Sequence, residues 1–315
     1  MKKLFVFLTM MVLATSAIAQ NYDFSAVCES GQTLYYQISD SSNYEIAVTA
    51  PDLSSGYPDW WTTHNKPTGD LIIPDSVEYE GNTYTVVSIL ERAFIGCSEL
   101  TSVVIPNSIT FIGESAFYGN SALVSAILPN RLTVIESSTF KNCHSLVSIT
   151  LPDSLTTIKG HAFLSCESLP SITFPNTLLS IANMAFFECT GLSGELVLPS
   201  SLQNIGSFCF YGCSGLSGVL TLPESLISMG ESCFSQCSGL TSVVFPENLS
   251  SIPRCAFYAC TSLSGDLIIP NLCTLIGYEA FANCSNLSSL TIGSSVSNIG
   301  CGAFMDCTAL ETIHC

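Results

Sequence analysis

The stretch TSVVIPNSITFIGESAFYGNSAL, from Thr101 to Leu123, is followed at once by VSAILPNRLTVIESSTFKNCHSL, from Val124 to Leu146. Both stretches follow one pattern, x-x-V-x-I-P-x-x-L-x-x-I-x-x-x-A-F-x-x-C-x-x-L. The phenylalanine of this pattern recurs at intervals of 23 or 24 residues, which is the signature of a repeat protein. The ten repeat phenylalanines are Phe94, Phe117, Phe140, Phe163, Phe186, Phe210, Phe234, Phe257, Phe281 and Phe304.

Each slot of the pattern has a structural interpretation. The V-x-I pair alternates with period two, which predicts a short strand with inward side chains such as Val103 and Ile105. The proline that follows has no N–H to donate to a sheet, so it ends the strand. Stacked units place equivalent residues on top of one another, with neighbouring strands about 4.8 Å apart. The sequence therefore predicts a β-rich solenoid with a parallel sheet on one face and short 3-10 or turn segments on the other.

The unit is also recognisable as a family motif. SGLTSVVFPENLSSIPRCAFYAC, Ser238 to Cys260, resembles the BspA-type leucine-rich repeat, and the resemblance extends over roughly residues 69–315. It implies a curved, right-handed leucine-rich repeat solenoid in an exported bacterial protein of the kind found in Bacteroidetes. Members of the family are associated with adhesion to host matrix proteins and to other cells. The resemblance thus favours a binding or adhesion module over an enzyme.

The first residues are typical of a signal peptide. Lys2 and Lys3 give a positive start, a short apolar run follows, and Ala17–Ala19 is a small-x-small site. We expect cleavage near Ala19, so residues 1–19 are excluded from the fold. No later stretch is apolar over the roughly 20 residues that a membrane span needs. The sequence therefore predicts an exported protein, either secreted or on the outer surface.

Two further segments follow the expected signal peptide. Residues 20–68 do not fit the repeat and are predicted to form an N-terminal β cap, with a hairpin made from 34–38 and 45–49. Residues 69–315 hold about ten repeat units. The first unit has an insert at 77–86, expected to be a second hairpin that projects from the coil.

Charge excludes several classes of partner. The chain has 25 Asp and Glu against 8 Lys and Arg, a formal net charge of -17. Removal of Lys2 and Lys3 with the signal peptide lowers this charge by two more units. So acidic a chain cannot neutralise a phosphate backbone, and anionic lipid is disfavoured for the same reason. Nucleic acid is therefore not an expected partner.

Sixteen cysteines raise the question of disulfides or a metal site. Nine of them lie three residues after a repeat phenylalanine, a slot that Asn120 occupies in the second unit. Stacked cysteines of this kind have parallel Cβ vectors, which is poor geometry for a disulfide, so reduced and buried thiols are favoured over a disulfide framework. The histidines do not stack into zinc knuckles, so no metal or other cofactor is predicted. The pattern assigns no redox state to Cys28, Cys255, Cys301 or Cys315.

The outward position of the predicted strand defines a candidate ligand face. Every residue there is β-branched, which either reflects strand propensity alone or makes an apolar surface on which a protein docks. Its ten residues are Ile72, Val104, Ile127, Thr150, Thr173, Val197, Thr221, Val244, Ile268 and Thr291.

The cap segment contains the only two tryptophans, Trp60 and Trp61. Paired tryptophans on a loop can form a platform on which a sugar stacks. The alternative is that they cover the open end of the core, since solenoid ends need capping.

No titratable groups converge on one point, so no catalytic residues are predicted and the chain is not expected to be an enzyme. Three functions remain open: a module that binds a host matrix or cell-surface protein through the sheet face, a carbohydrate-binding module that uses Trp60 and Trp61, and a structural spacer. A strand expected at 311–315 also suggests end-to-end self-association.

Overall fold

The computed structural model describes residues 20–52, 61 and 63–315. The expected signal peptide at 1–19 and Trp60 lie outside these described residues. In chain order the strands are β1 (Phe24–Val27), β2 (Thr33–Asp40), β3 (Glu45–Thr49), β4 (Gly69–Ile72), β5 (Ser76–Tyr79), β6 (Asn82–Ile89), β7 (Leu100–Val104), β8 (Phe111–Ile112), β9 (Ser125–Ile127), β10 (Val134–Ile135), β11 (Ser148–Thr150), β12 (Thr157–Ile158), β13 (Ser180–Ile181), β14 (Asn204–Ile205), β15 (Gly218–Thr221), β16 (Ser228–Met229), β17 (Leu240–Val244), β18 (Ser251–Ile252), β19 (Gly265–Ile268), β20 (Leu275–Ile276), β21 (Leu287–Thr291), β22 (Asn298–Ile299) and β23 (Thr312–His314).

The repeat units stack as a solenoid with two parallel ladders. The main ladder contains the strands at the start of each unit, most of which are followed by the repeat proline: β4, β7, β9, β11, β15, β17, β19, β21 and β23. The second ladder contains the two-residue strands from β8 to β22, which lie one turn further along each coil. The predicted leucine-rich repeat solenoid with parallel sheets is confirmed. Among the described residues, no helix is long and apolar enough to span a bilayer.

The N-terminal cap is continuous with the repeats. Strands β1, β2 and β3 form an antiparallel meander, which confirms the predicted cap hairpin, and β3 then pairs in parallel with β6. The insert forms the β5–β6 hairpin. It packs against the cap and does not project from the first coil, because Thr85 and Val86 pair with β3 and Tyr79 stacks on Phe24 with ring centroids 4.0 Å apart. Apolar alternation in β6 draws the insert into the sheet.

The repeat phenylalanines form one column inside the solenoid. Successive ring centroids are 5.1–5.6 Å apart and their planes differ by 1–11°. This is an offset-stacked arrangement, for which a pair contributes about 0.5–1.5 kcal/mol beyond the burial of its area. Nine of the ten rings are completely buried, and Phe304 in the last coil is half-buried. The fixed spacing in sequence is therefore a fixed spacing in space.

The turn side of each coil has its own backbone ladder. In each coil, the residue two positions before the phenylalanine and the residue two positions after it have left-handed backbone, with φ between 50° and 74°. Each of them turns its N–H toward the next coil. In the second coil Ser115, Phe117 and Gly119 donate to the carbonyls of Ser137, Thr139 and Lys141, 2.8–2.9 Å away.

The same three bonds recur at all nine junctions from the Phe94 coil to the Phe304 coil, with N···O distances of 2.7–3.1 Å. Of the three backbone ladders between the coils, this turn ladder is the one without an interruption.

The two β ladders, in contrast, are interrupted. Pro170 takes a position where Val124 and Val147 each donate to the preceding coil, so it removes a bond of the main ladder. Main-ladder strands are then absent at 171–174 and 194–198. Pro253 likewise replaces the donor that Gly230 and Gly277 supply in the second ladder.

The interruptions do not coincide. The main ladder is interrupted on either side of the Phe186 and Phe210 coils and between β17 and β19. The second ladder is interrupted between β8 and β10 and between β16 and β18. Wherever one ladder is broken, the other is paired.

The left-handed positions predict a stabilising substitution at Ala259. Its φ is 55°, a region that L-residues with a Cβ adopt at a cost of about 1–2 kcal/mol. We expect Ala259→Gly to raise the free energy of unfolding by about 0.5–1 kcal/mol, after the entropy that glycine loses on folding. Chemical denaturation measures the change. Ala122→Gly, at a position without positive φ, is the control and should be neutral or destabilising; a gain from both variants, or from neither, contradicts the prediction.

Candidate functional surface

The candidate ligand face is a register-aligned column on the main ladder, except at Thr173 and Val197, where main-ladder strands are absent. Strand pairing places Ile72 beside Val104 and Ile127 beside Thr150, and later in the chain Ile268 lies beside Thr291. The column two residues earlier is aligned in the same way. It reads Asp70, Ser102, Ser125, Ser148, Ser171, Glu195, Val219, Ser242, Asp266 and Ser289. We call these two columns together the main-sheet face.

Most of the predicted ligand positions are exposed. Ile127 and Val197 have 59% and 69% of their surface accessible, and Ile72, Val244 and Ile268 are also exposed. Thr150, Thr173 and Thr221 are exposed as well, whereas Val104 and Thr291 are half-buried. The face is therefore weakly polar, with isolated apolar side chains standing between hydroxyl groups.

The carboxylates on this face are hydrogen-bonded to its hydroxyls. Asp70 accepts from the hydroxyls of Ser102 at 2.6 Å and of Thr101 at 3.0 Å, and these bonds lower the pKa of Asp70. Asp266 accepts from Ser289 at 2.9 Å and from Thr291 at 3.0 Å. Both carboxylates remain exposed. The bonds keep the two groups in place without neutralising their charge.

The rim on the proline side of the face is also acidic. Each residue that directly follows a strand-ending proline, or Gly293 in the tenth unit, is exposed. We call this column the proline-side rim; it reads Asp75, Asn107, Asn130, Asp153, Asn176, Ser200, Glu224, Glu247, Asn271 and Ser294.

At the N-terminal end, Trp61 covers the core. It is 5% exposed and its ring meets Tyr35 edge-on, with centroids 5.7 Å apart. A sugar needs an accessible ring face to stack on, and Trp61 offers none. Trp60, the other half of the predicted sugar platform, lies outside the described residues.

Beside Trp61 is a surface groove of about 380 Å³ lined by Tyr35, Thr63 and His64 among others. His64 Nδ1 lies 3.2 Å from an oxygen of buried Asp52. Burial alone raises the pKa of Asp52, but hydrogen bonds from Thr63 and His64 outweigh it and lower the pKa. Both Thr63 Oγ1 and Asp52 meet the same ring nitrogen of His64, so the group is arranged to hold the loop together rather than to activate a nucleophile.

The cysteines are packing groups that also donate hydrogen bonds. All sixteen are free, and twelve are buried. Eight thiols of the column donate to the phenylalanine carbonyl of the preceding coil, at 3.0–3.3 Å; Cys143 to Phe117 is the first. Parallel donation leaves no pair of sulfurs aimed at each other. Among the described residues, no His, Cys, Asp and Glu side chains group in a way that could hold a metal ion.

Burial makes these thiols unreactive. It raises the pKa of Cys143 and Cys189 from an ordinary value near 9 to about 12, and the pKa of Cys213 and Cys237 well above that ordinary value. Since the thiolate is the nucleophile, such groups are inert at neutral pH.

Asn120 is the exception in the cysteine column. It is completely buried, and neither of its amide atoms has a hydrogen-bond partner within the described structure. The larger polar group fills the slot of a thiol without reproducing its bond to the preceding carbonyl.

Thiol labelling tests this arrangement. In the native protein at about pH 8, below the pKa of an ordinary thiol, we expect a maleimide to modify exposed Cys301 and Cys315 first and the twelve buried cysteines not at all. In denaturant without reductant, mass spectrometry should find all sixteen modified. A reduced and denatured sample is the control. Labels that appear only after reduction would reveal disulfides and contradict the assignment of free thiols.

Two features of the surface escaped the sequence analysis. The slot before the column cysteine, which reads Gly96, Gly119, Asn142 and so on, looks like ordinary surface in sequence but has left-handed backbone throughout. Its enrichment in Gly, Asn and Asp is the signal that marks such a position. The acidic rim was visible as the residue after each proline, but only the fold places it beside the face.

The comparisons with known proteins agree with this architecture. The family described as BspA type leucine rich repeat region matches in six copies, over residues 76–193 and 193–311. No curated protein matches the chain.

Several solved structures are similar to the chain. A leucine rich cell surface protein from Faecalibacterium prausnitzii is 24% identical, with 93% of this chain and 95% of that one covered and a TM-score of 0.44. A leucine-rich repeat protein from Bacteroides ovatus is 25% identical, with coverage of 93% and 94% and a TM-score of 0.40. The pneumococcal vaccine antigen PcpA is 18% identical, with coverage of 89% and 85% and a TM-score of 0.49.

Proposed function

Because the chain belongs to the BspA-type leucine-rich repeat family, we propose that it is a non-enzymatic binding module of the adhesion type. Its partner is a host matrix or cell-surface protein, and the binding site is the main-sheet face. One observation carries this proposal: β-branched side chains stand exposed and in register along the main ladder, as Ile127 and Ile268 do. Strand propensity does not require an apolar residue there, since Thr150 and Thr221 occupy the same outward position.

The geometry suits a protein partner. Solenoids bind along extended surfaces that successive repeats build. Here each coil adds one β-branched residue, and neighbouring hydroxyls supply hydrogen-bonding groups between them. A face of this kind buries apolar area at its centre and keeps polar contacts around it, as protein interfaces do.

Export is part of the proposal. Residues 1–19 carry the pattern of a signal peptide, and adhesion to a host protein requires delivery outside the cell. In a bacterial host that exports the full-length protein, N-terminal sequencing should find the mature chain starting near Gln20. Intact Met1 on the exported protein would contradict cleavage.

Neutral substitutions on the face test the binding site. We expect Ile127→Gln, Val197→Gln and Ile268→Gln together to weaken binding by about a hundredfold, since each loses about 1 kcal/mol of apolar burial. Binding is measured by surface plasmon resonance against immobilised host matrix proteins, with wild-type protein first used to select the ligands that saturate.

The matched control substitutes Phe111, Ile227 and Ile299, which are also exposed apolar residues and lie in or beside the second ladder. Phe111→Gln, Ile227→Gln and Ile299→Gln together should bind like wild type. Equal loss in both triple variants, or none in the face variant, would refute the main-sheet face as the site. Absence of any saturable protein ligand would leave the spacer as the function, and saturable binding on a glycan array alone would leave the carbohydrate module.

A further inference from the structure

Acidic side chains on the main-sheet face and on its rim are unneutralised. The main-sheet face has two columns and the proline-side rim is a third, each with ten positions. None of these positions is Lys or Arg. Seven positions are carboxylates, and all seven are exposed: Asp70, Asp75, Asp153, Glu195, Glu224, Glu247 and Asp266.

The ion pairs of the described residues lie elsewhere and include three basic side chains: Arg92, Lys159 and Arg254. Lys159 meets Glu136 at 2.7 Å next to the second ladder, and Arg254 meets Glu231 at 3.6 Å on the turn side. The other ion pairs of the described residues involve Arg92, His64 and His144, and none includes a carboxylate of the face or rim. The nearest cation in sequence, Arg131, follows the rim residue Asn130 and makes no ion pair in the described structure.

This segregation restricts what can dock. A partner that covered the face with neutral or acidic groups would desolvate or repel the carboxylates without compensation. A second copy of the chain, with the same acidic face, is excluded by like charge. Anionic lipid headgroups and sulfated glycans are excluded as ligands of this face for the same reason.

We propose that the main-sheet face binds a basic polypeptide surface, one that presents Lys or Arg between apolar side chains. The inference rests on the proposed function and names the partner class for that site. Apolar groups of the partner cover residues such as Ile127 and Val197, and its cations meet Asp70, Glu195, Asp266 and the rim. Complementary charge of this kind governs association rate and the choice of partner more than raw affinity.

Two variants that lose the same number of negative charges distinguish binding at the face from general attraction to an acidic protein. The face variant is Asp70→Asn, Glu195→Gln and Asp266→Asn; the control is Glu114→Gln, Glu188→Gln and Asp306→Asn on the turn side, where all three residues are exposed. The first probe is a short synthetic peptide with Lys spaced among Val and Thr. The second probe has Gln in place of every Lys.

We expect wild-type protein to bind the Lys peptide and not the Gln peptide. The face variant should bind the Lys peptide about tenfold more weakly, as three exposed charge pairs contribute, and the control variant should bind like wild type. Raising salt from about 50 mM to about 500 mM should weaken wild-type binding far more than binding of the face variant.

Three results would overturn the inference: equal loss in both variants, which would mean general attraction to an acidic protein; equal binding of the Lys and Gln peptides; or no binding of the Lys peptide. The apolar variant of the preceding subsection is measured alongside. If Ile127→Gln, Val197→Gln and Ile268→Gln abolish binding to a matrix protein while the face carboxylates make no difference, the proposed site stands and only the basic partner is wrong. Circular dichroism melts confirm that every variant is folded.

Discussion

The structure depends on the backbone ladder at the turn side. Three N–H groups per coil donate to the next coil at every junction, and they can do so because two residues in each coil adopt left-handed backbone. Left-handed conformation is costly for residues with a Cβ, and here residues as bulky as Phe208 and Met184 accept it. The bonds it makes possible repeat at each coil, so the cost is offset throughout the stack. The β ladders on the other faces are secondary, since they tolerate interruption and the turn ladder has none.

Side chains inside the coil reinforce this ladder. The phenylalanine column fills the space directly under the turn, and the cysteine three residues later bonds back to the phenylalanine carbonyl of the preceding coil. That carbonyl also accepts the backbone N–H of its own coil's slot residue, as Phe117 does from Asn120. A thiol suits this slot because it is small, apolar and still a weak donor. Most cysteines of the chain therefore serve packing, and burial suppresses the redox chemistry of the twelve buried thiols.

Much of the fold follows from the sequence, because the period is rigid. The ten phenylalanines and nine prolines fix the length of each coil, and the alternation in segments such as Val103 to Ile105 fixes which side chains enter the core. Three features did not follow. The insert was expected to project, but pairing of β6 on both sides depends on where β3 and β8 lie in space. The break after β11 comes from Pro170, a single missing donor that periodicity does not register. The candidate face follows from the sequence as a column. That carboxylates collect on the face and its rim follows only from the fold, which places the rim beside the strands.

The staggered interruptions of the two ladders have a mechanical consequence. A fibre made of stacked layers parts most easily where one layer is joined to the next by the fewest bonds, and aligned gaps would create such a plane. Here the gaps of the two β ladders lie at different junctions. Each pair of neighbouring coils is therefore joined by at least one β ladder as well as by the turn ladder. Pulled along its axis, the solenoid presents no single plane of cleavage and shares the load among its layers.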